Sequence, residues 1–459
     1  MASRREIFEG TELPPEPSRP PADPEARRLM VTRVVVVAAA LVFLAAIYAC
    51  GRLPRNEDVP LYSFPGPFKN APRIRMAVRQ NAGAVSVAVS GPFKLFDGRG
   101  AEIPNNNAKL ASVAVTCRNR CLYIGNQPMR PNGRDLDRVR ICPENLGGLE
   151  IDGKLFPGDL ELIGSSKGST LHAVVHMGLE EYVCGVLAGE VPVESWNIEA
   201  LKAQAVASRT YALYYSLRNA DDSWDFGMTG REAQEYRPGI ARNGKINLAV
   251  NATSGEVLTW NNMVFPAWFH SSCGGHTVDA AAVFTRRHIE ALGGAPCPWC
   301  RKQPDNKYAS WQKSISFSGA IAPRLTKGLS DDPEVGSTIK NIVKHGQLRS
   351  MEVAEKSSDG RITKFLIRGP GDPGSVQVRA NDVRLAIGPT ELPSTNCTMI
   401  PGRYTYRFEG SGWGHGVGLC QFGSQGQALE GRNYLQIVTT YFPSSRIVKM
   451  AYSRPAAPR

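Results

Sequence analysis

From Val34 to Cys50 the chain reads VVVVAAALVFLAAIYAC, seventeen positions without a charge, and this run decides where everything after it must fold. Arg27, Arg28 and Arg33 precede it. An apolar run of this length is the short end of a membrane span, and basic residues ahead of it favour a cytoplasmic N-terminus. A buried core helix fits poorly, because the run is apolar all round and flanked by charge. Residues 1–33 carry little apolar periodicity and are predicted to be a disordered cytoplasmic tail. Residues 34–50 are then a membrane anchor or a signal segment. Ile47-Tyr48-Ala49-Cys50 weakly resembles a lipoprotein cleavage site, and Met30 would begin a short signal peptide. The long polar tail favours an uncleaved anchor. On either reading the bulk of the 459 residues is exported, to the periplasm or the outer face of a cell.

Hydrophobic residues at 42% and charged residues at 21% exclude both global disorder and a polytopic membrane protein. A net charge of +12 suits an anionic partner: nucleic acid, an acidic membrane surface or an acidic wall polymer. Export argues against nucleic acid. So does the absence from the sequence of a helix-turn-helix, a zinc-finger array or an aromatic RNA-binding pattern. An envelope polymer or a phospholipid surface is left.

Four prolines make residues 51–71 a linker. Segments IRMAV, AVSVAVSG and FKLFDG then alternate with period two, so 72–150 is predicted to be β-rich. GDLELIG and TLHAVVHM form a further strand pair at the head of a main domain spanning 151–448, followed by a tail, 449–459. A helix starts near Gly178, with Leu179, Tyr182, Val183, Val186 and Leu187 at helical spacing and Gly189 as its stop. A second begins at the N-cap Asn197, burying Leu201, Ala205, Ser208 and Ala212. Lys202 and Arg209, seven apart, share another face. Short strands and Gly-rich turns are expected from Trp224 to about Phe408, then helices over 421–429 and 434–441. The fold class is α+β, mostly antiparallel strands with a few helices.

Three constellations suit chemistry. Glu190 lies at the end of the first helix, where exposed carbonyls make the potential negative, and Val191, Pro192 and Trp196 follow to strip water from it. Both effects disfavour the carboxylate and raise its pKa, as a general acid needs. From position alone, a solvated Glu in a turn is the commoner reading, because Glu is frequent in loops. In Gly412-Trp413-Gly414-His415-Gly416-Val417-Gly418, alternate glycines let a backbone bend sharply or a ligand approach. Trp413 offers a flat face for a sugar and His415 a polar handle; a tight structural turn is the alternative. The third is His270-Ser271-Ser272-Cys273-Gly274-Gly275-His276 with Cys297-Pro298-Trp299-Cys300. Cys273, His276, Cys297 and Cys300 make a four-ligand set for a structural zinc. A Cys297–Cys300 disulfide and a redox site are the alternatives. Cys117 and Cys121 are close enough in sequence to pair, whereas Cys184, Cys397 and Cys420 sit in apolar surroundings and read as inert core thiols.

Taken together, LEEYVCGVLAGEVPVESWNIEALKAQAVASRTYAL (Leu179 to Leu213), FHSSCGGHT (Phe269 to Thr277) and GSGWGHGVGLCQFGSQGQAL (Gly410 to Leu429) resemble the SpoIID/LytB domain family of the bacterial envelope. That family comprises stage II sporulation protein D and amidase enhancers, and the likeness covers about residues 72–448. The resemblance implies peptidoglycan chemistry. Its sporulation members act as lytic transglycosylases on glycan strands stripped of stem peptides, with an essential Glu that corresponds to Glu190. It also implies that Lys202 and Arg209 hold an anionic muramic group or form structural pairs, that His270 faces the cleft, and that zinc lies near the Cys273 segment. The other branch implies a non-catalytic wall-binding protein that enhances an amidase. One departure stands out: where relatives read SQYG, this chain has Cys420-Gln421-Phe422-Gly423, without the phenol hydroxyl.

Overall fold

A computed structural model of the chain describes residues 59–451, apart from 67, 69, 106–107, 145–147, 231–232, 240–243 and 286. The tail and apolar run expected over 1–50 lie outside the described residues, and no described helix is long and apolar enough to cross a membrane.

The period-two alternation after Arg73 becomes strands. Arg73–Ala82 buries Ile74, Met76 and Val78, and pairs antiparallel with Leu171–Gly178, Ile74 opposite Met177. These two strands sit inside a seven-stranded sheet that continues through Asp159–Gly164, Arg138–Pro143, Phe93–Asp97 and Glu102–Ile103, with Phe226–Gly227 added in parallel at the other edge. A six-stranded antiparallel sheet is built around Ala84–Val89 and Leu110–Arg118. Inward residues of both sheets, among them Val85, Val115, Ile141 and Leu162, join one large core. The expected linker is partly structured: Tyr62–Ser63 pairs with Met263–Val264 at the edge of a four-stranded sheet completed by Glu256–Trp260 and Arg446–Lys449.

Helix α1 (Leu179–Glu190) opens at Gly178, whose N–H donates to Glu181 Oε2 at 2.8 Å. It runs through Gly189 and ends one residue later. Helix α2 (Ile198–Arg218) is capped as expected: Asn197 Oδ1 accepts the Glu199 N–H at 2.9 Å. Its four anticipated core residues Leu201, Ala205, Ser208 and Ala212 are fully buried. Between 224 and 408 the structure corrects the sequence reading, adding α3 (Gly244–Ala252), α4 (Ala322–Leu329), α5 (Gly336–Lys344) and α6 (Ala380–Ile387). Each spans only two turns or so, too few repeats for a period to stand out beside the flanking Gly, Pro and Ser. Helices α4–α6 and two three-stranded sheets close a second core around Ile315, Leu325, Ile339, Phe365, Ile367 and Phe408. Helices α7 (Gln421–Leu429) and α8 (Tyr434–Tyr441) then return the chain to the first core, on the residues anticipated for them.

Candidate active site

Glu190 is the last residue of α1, where the final carbonyls of a helix point. Gly189 is not a helix stop. It is a point of close approach: a Cβ there would lie 2.3 Å from the carbonyl oxygen of Glu235. That absent side chain lets the 234–237 segment lie against α1, with the Arg237 N–H on Gly185 O at 3.0 Å. The Glu235 N–H then donates to Glu190 Oε1 at 2.8 Å, and the Gln421 amide donates to Oε2 at 3.1 Å. Trp196 is buried and edge-on to Phe422, the residue after Gln421, with ring centroids 5.6 Å apart. Burial pushes the Glu190 pKa up to about 7, aided by the nearby Glu235 charge and opposed by the two donated hydrogen bonds. Glu190 has no cation partner among the described residues, so nothing holds it ionised. Glu235 carried no motif of its own in the sequence, whereas Gln421 lay in the Cys420-Gln421-Phe422-Gly423 segment without being singled out. Glycines 185 and 189, four apart on one helix face, were the legible sign that a second segment docks there.

The two histidines of the other motifs come together. Phe269–His270 pairs in parallel with Leu419–Cys420, and the His270 and His415 rings are 5.3 Å apart. His270 is 5% exposed; its Nδ1–H donates to Val417 O at 3.1 Å, while Nε2 is buried without a hydrogen-bond partner. His415 donates from Nε2 to Phe269 O at 2.9 Å and accepts the Val417 N–H on Nδ1 at 3.1 Å. These partners set the tautomers. Burial holds His270 down to about 3 and His415 well below its ordinary value, so both rings are neutral. Because Gln421 follows directly on the strand paired with His270, the Glu190 carboxyl and the histidine loop meet across the start of α7.

All four alternate glycines of the 412–418 loop have positive φ. At Gly418 (φ +71) a Cβ would stand 2.1 Å from Trp268 O, which explains why side chains are missing there. Trp413 is not a free platform. It is 8% exposed, and its ring lies 4.3 Å from that of Tyr308, which takes the face a sugar would need.

Arg209 is likewise taken out of the ligand-binding set. Its side chain is 0% exposed, forked onto Glu180 at 2.6 Å, with a further bond to Glu256 O at 3.0 Å. It ties α1 to α2 and to the strand beside them. Lys202 is partly exposed, pairs with Glu199 at 2.6 Å and lies over the Tyr434 ring. Of the readings open for these two, structural pairing is the one observed.

The cysteine cluster differs from the expected set by one member. Sulfurs of Cys273, Cys297, Cys300 and Cys420 lie within 4.8 Å of one another, all buried. His276 is outside: half-exposed, its ring contacts Thr277 O at 2.6 Å. Cys420, read as an inert thiol, takes its place because the parallel pairing with His270 carries it there from over a hundred residues away. The described cysteines, including Cys117, Cys121, Cys297 and Cys300, are all free thiols. Cys273 and Cys300 sulfurs are 3.5 Å apart. A disulfide needs about 2.05 Å, whereas thiolates on a tetrahedral ion at about 2.3 Å stand roughly 3.8 Å from each other. The donor set therefore suits a tetrahedral divalent ion. A separate cavity of about 380 Å³, lined by Thr285, Glu334, Glu355, Lys364, Arg379 and Asp382 among others, includes neither Glu190 nor the histidine pair.

Residues 167–260 match the family model described as stage II sporulation protein, and 302–418 match a domain of unknown function, DUF8618, which overlaps the second core. An uncharacterized protein of Brachyspira hyodysenteriae is 27% identical over 384 residues, covering 83% of this chain and 94% of that one. Stage II sporulation protein D of Bacillus amyloliquefaciens is 30% identical over 286 residues, covering 59% of this chain and 74% of that protein. The chain belongs to the SpoIID/LytB family. The amidase enhancer of Bacillus subtilis is 25% identical over 344 residues, 67% of this chain, but the match spans only 46% of that longer protein. In this family member, the 167–260 match contains α1, α2 and Glu190. The histidine loop and all four cysteines, Cys273, Cys297, Cys300 and Cys420, come from outside it.

Proposed function

We propose that the chain is an envelope enzyme, anchored through 34–50, that cleaves peptidoglycan glycan strands as a lytic transglycosylase. The observation that carries this reading is Glu190: a carboxyl without a cation partner among the described residues, held by two neutral donors, with a pKa raised to about 7. Near neutral pH such a group is protonated often enough to give up a proton and then basic enough to take one back. Glu190 protonates the bridging oxygen between N-acetylmuramic acid and N-acetylglucosamine, and the C–O bond breaks towards an oxocarbenium-like state. The same carboxylate then removes the proton from the muramic 6-hydroxyl, whose oxygen closes on C1 to give a 1,6-anhydro end. One carboxyl suffices because an internal hydroxyl replaces water, unlike the two-carboxylate hydrolases. The net charge of +12 favours approach to an anionic wall. Cys273, Cys297, Cys300 and Cys420 would hold a structural zinc, which would supply rigidity to the loops that meet there.

A second reading is favoured by one finding, the likeness to a protein named amidase enhancer. On it, the chain binds the wall without cleaving it and stimulates an N-acetylmuramoyl-L-alanine amidase. Incubation of the full chain with denuded glycan separates the two. Anhydro ends detected by mass spectrometry, and lost in Glu190→Gln, support the enzyme. Tight pull-down with no such ends from wild type supports the enhancer.

A further inference from the structure

We propose that Cys420 is the fourth ligand of the structural ion and that, through its neighbour Gln421, the bound ion sets the position of the Glu190 carboxyl. The inference rests on the zinc site and enzyme proposed above.

Three observations carry it. First, the Cys420 sulfur is held inside the cluster as a hydrogen-bond acceptor. Cys420 is the N-cap of α7, and its sulfur accepts the N–H groups of Cys273 at 3.2 Å and Gly423 at 3.4 Å. Helix α7 also leans on the cluster: a Cβ at Gly423 would lie 2.4 Å from Cys297 Sγ.

Second, the surroundings carry the countercharge that four thiolates and a divalent ion, net −2, require. Arg361 is 1% exposed and donates to Cys273 O at 2.8 Å and to Ser394 Oγ at 3.0 Å. It has no ion pair among the described residues, and its Nε is unbonded. A buried guanidinium without a contacting carboxylate is costly unless nearby negative charge offsets it, and the Asp359 carboxylate supplies part of that charge beside the Cys273 and Cys420 sulfurs.

Third, α7 joins the cluster to the acid. Its first residue, Gln421, donates to Glu190, and one turn later Gln425 accepts the Asn197 N–H at 2.8 Å at the head of α2. A ligand bond on Cys420 therefore fixes the residue adjacent to the one that holds Glu190. Outer-shell partners of this kind typically change affinity or activity by about 10- to 100-fold when removed. Gln421 is a positioning residue here and Cys420 a ligand; neither touches the substrate.

The test uses the full chain carrying Co²⁺ in place of zinc, with three readouts. In Cys420→Ser the thiolate-to-cobalt absorbance per bound ion falls by about a quarter, one donor in four; in His276→Ala it is unchanged. Stripping the ion from wild type with a chelator speeds carbodiimide modification of Glu190, read by peptide mass spectrometry, by about tenfold, and refilling with zinc reverses this. Gln421→Ala keeps its ion yet labels Glu190 at the fast rate. Release of anhydro ends falls about 10- to 100-fold in kcat in Cys420→Ser and Gln421→Ala, with KM for glycan within about twofold. A band that falls in His276→Ala instead of Cys420→Ser overturns the ligand assignment. A stripped wild-type chain that labels Glu190 at the loaded rate overturns the coupling, and this arm needs no variant to fold. Absence of anhydro ends from wild type would sink the enzyme reading alone, because absorbance and labelling are read without turnover.

Discussion

Glu180 opens α1 and Glu190 closes it, and the fold treats the two carboxylates in opposite ways. At the N-terminal end Glu180 receives the helix N–H groups' positive potential, the fork of Arg209 and the Gly255 N–H at 2.9 Å. At the C-terminal end Glu190 meets the negative end of the helix, a neutral amide and one backbone N–H. The first arrangement is an ion pair that fastens three elements. The second keeps a carboxyl close to neutral, ready to exchange a proton. Same residue, same helix: the presence or absence of a buried cation makes one a fastener and the other a candidate acid.

The comparison can be sharpened or broken by mutation. Glu190→Gln removes the proton donor and should lower anhydro-end release by about 10²- to 10⁴-fold, with glycan pull-down retained. Arg209→Met leaves Glu180 partly buried without its cation. It should cost about 2–3 kcal/mol in chemical unfolding, discounted because Glu180 is partly solvated. Gln421→Lys would give Glu190 the cation it lacks and make the two ends alike. On the alkaline side of its pH–rate profile, activity should fall about one unit or more below the wild-type value near 7.

Stability gives a quieter contrast. Glu190 has a folded pKa of about 7 against an ordinary 4.5, so the folded state binds the extra proton between those values. The penalty for ionising it is absent below pH 4.5, grows as pH rises, and is complete above 7. Glu190→Gln escapes that penalty but wastes one acceptor, so the variant should be about 1–2 kcal/mol more stable than wild type at pH 8. The gain should vanish by pH 4.5. Lys202→Ala, which removes a partly exposed pair, should cost no more than about 1 kcal/mol.

Much of this was legible in the sequence. Helices α1 and α2 carried long apolar periods with a cap at Asn197, and α7 and α8 lie on the residues expected for them. Glu190 was legible because it closes a helix ahead of an apolar segment, and burial is the largest influence on it. What the sequence hid depends on distant segments meeting. Cys420 joins the CxxC pair only through the parallel strand at His270. His276 looked like a ligand because it is close in sequence, yet its ring turns to its neighbour's carbonyl. Arg209 sat on a face that seemed open for substrate, but the first core closes over it. Trp413 looked exposed in a glycine-rich loop, whereas those glycines serve to pack the loop and carry its ring onto Tyr308.

Everything turns on the protonation of one carboxyl. The most direct measurement is a carbon-13 titration of the glutamate carboxyls in the full chain, with Glu190 assigned by difference from Glu190→Gln. A midpoint near 7 is the predicted result; a midpoint at the ordinary 4.5 would mean that Glu190 is ionised at neutral pH and cannot be the acid.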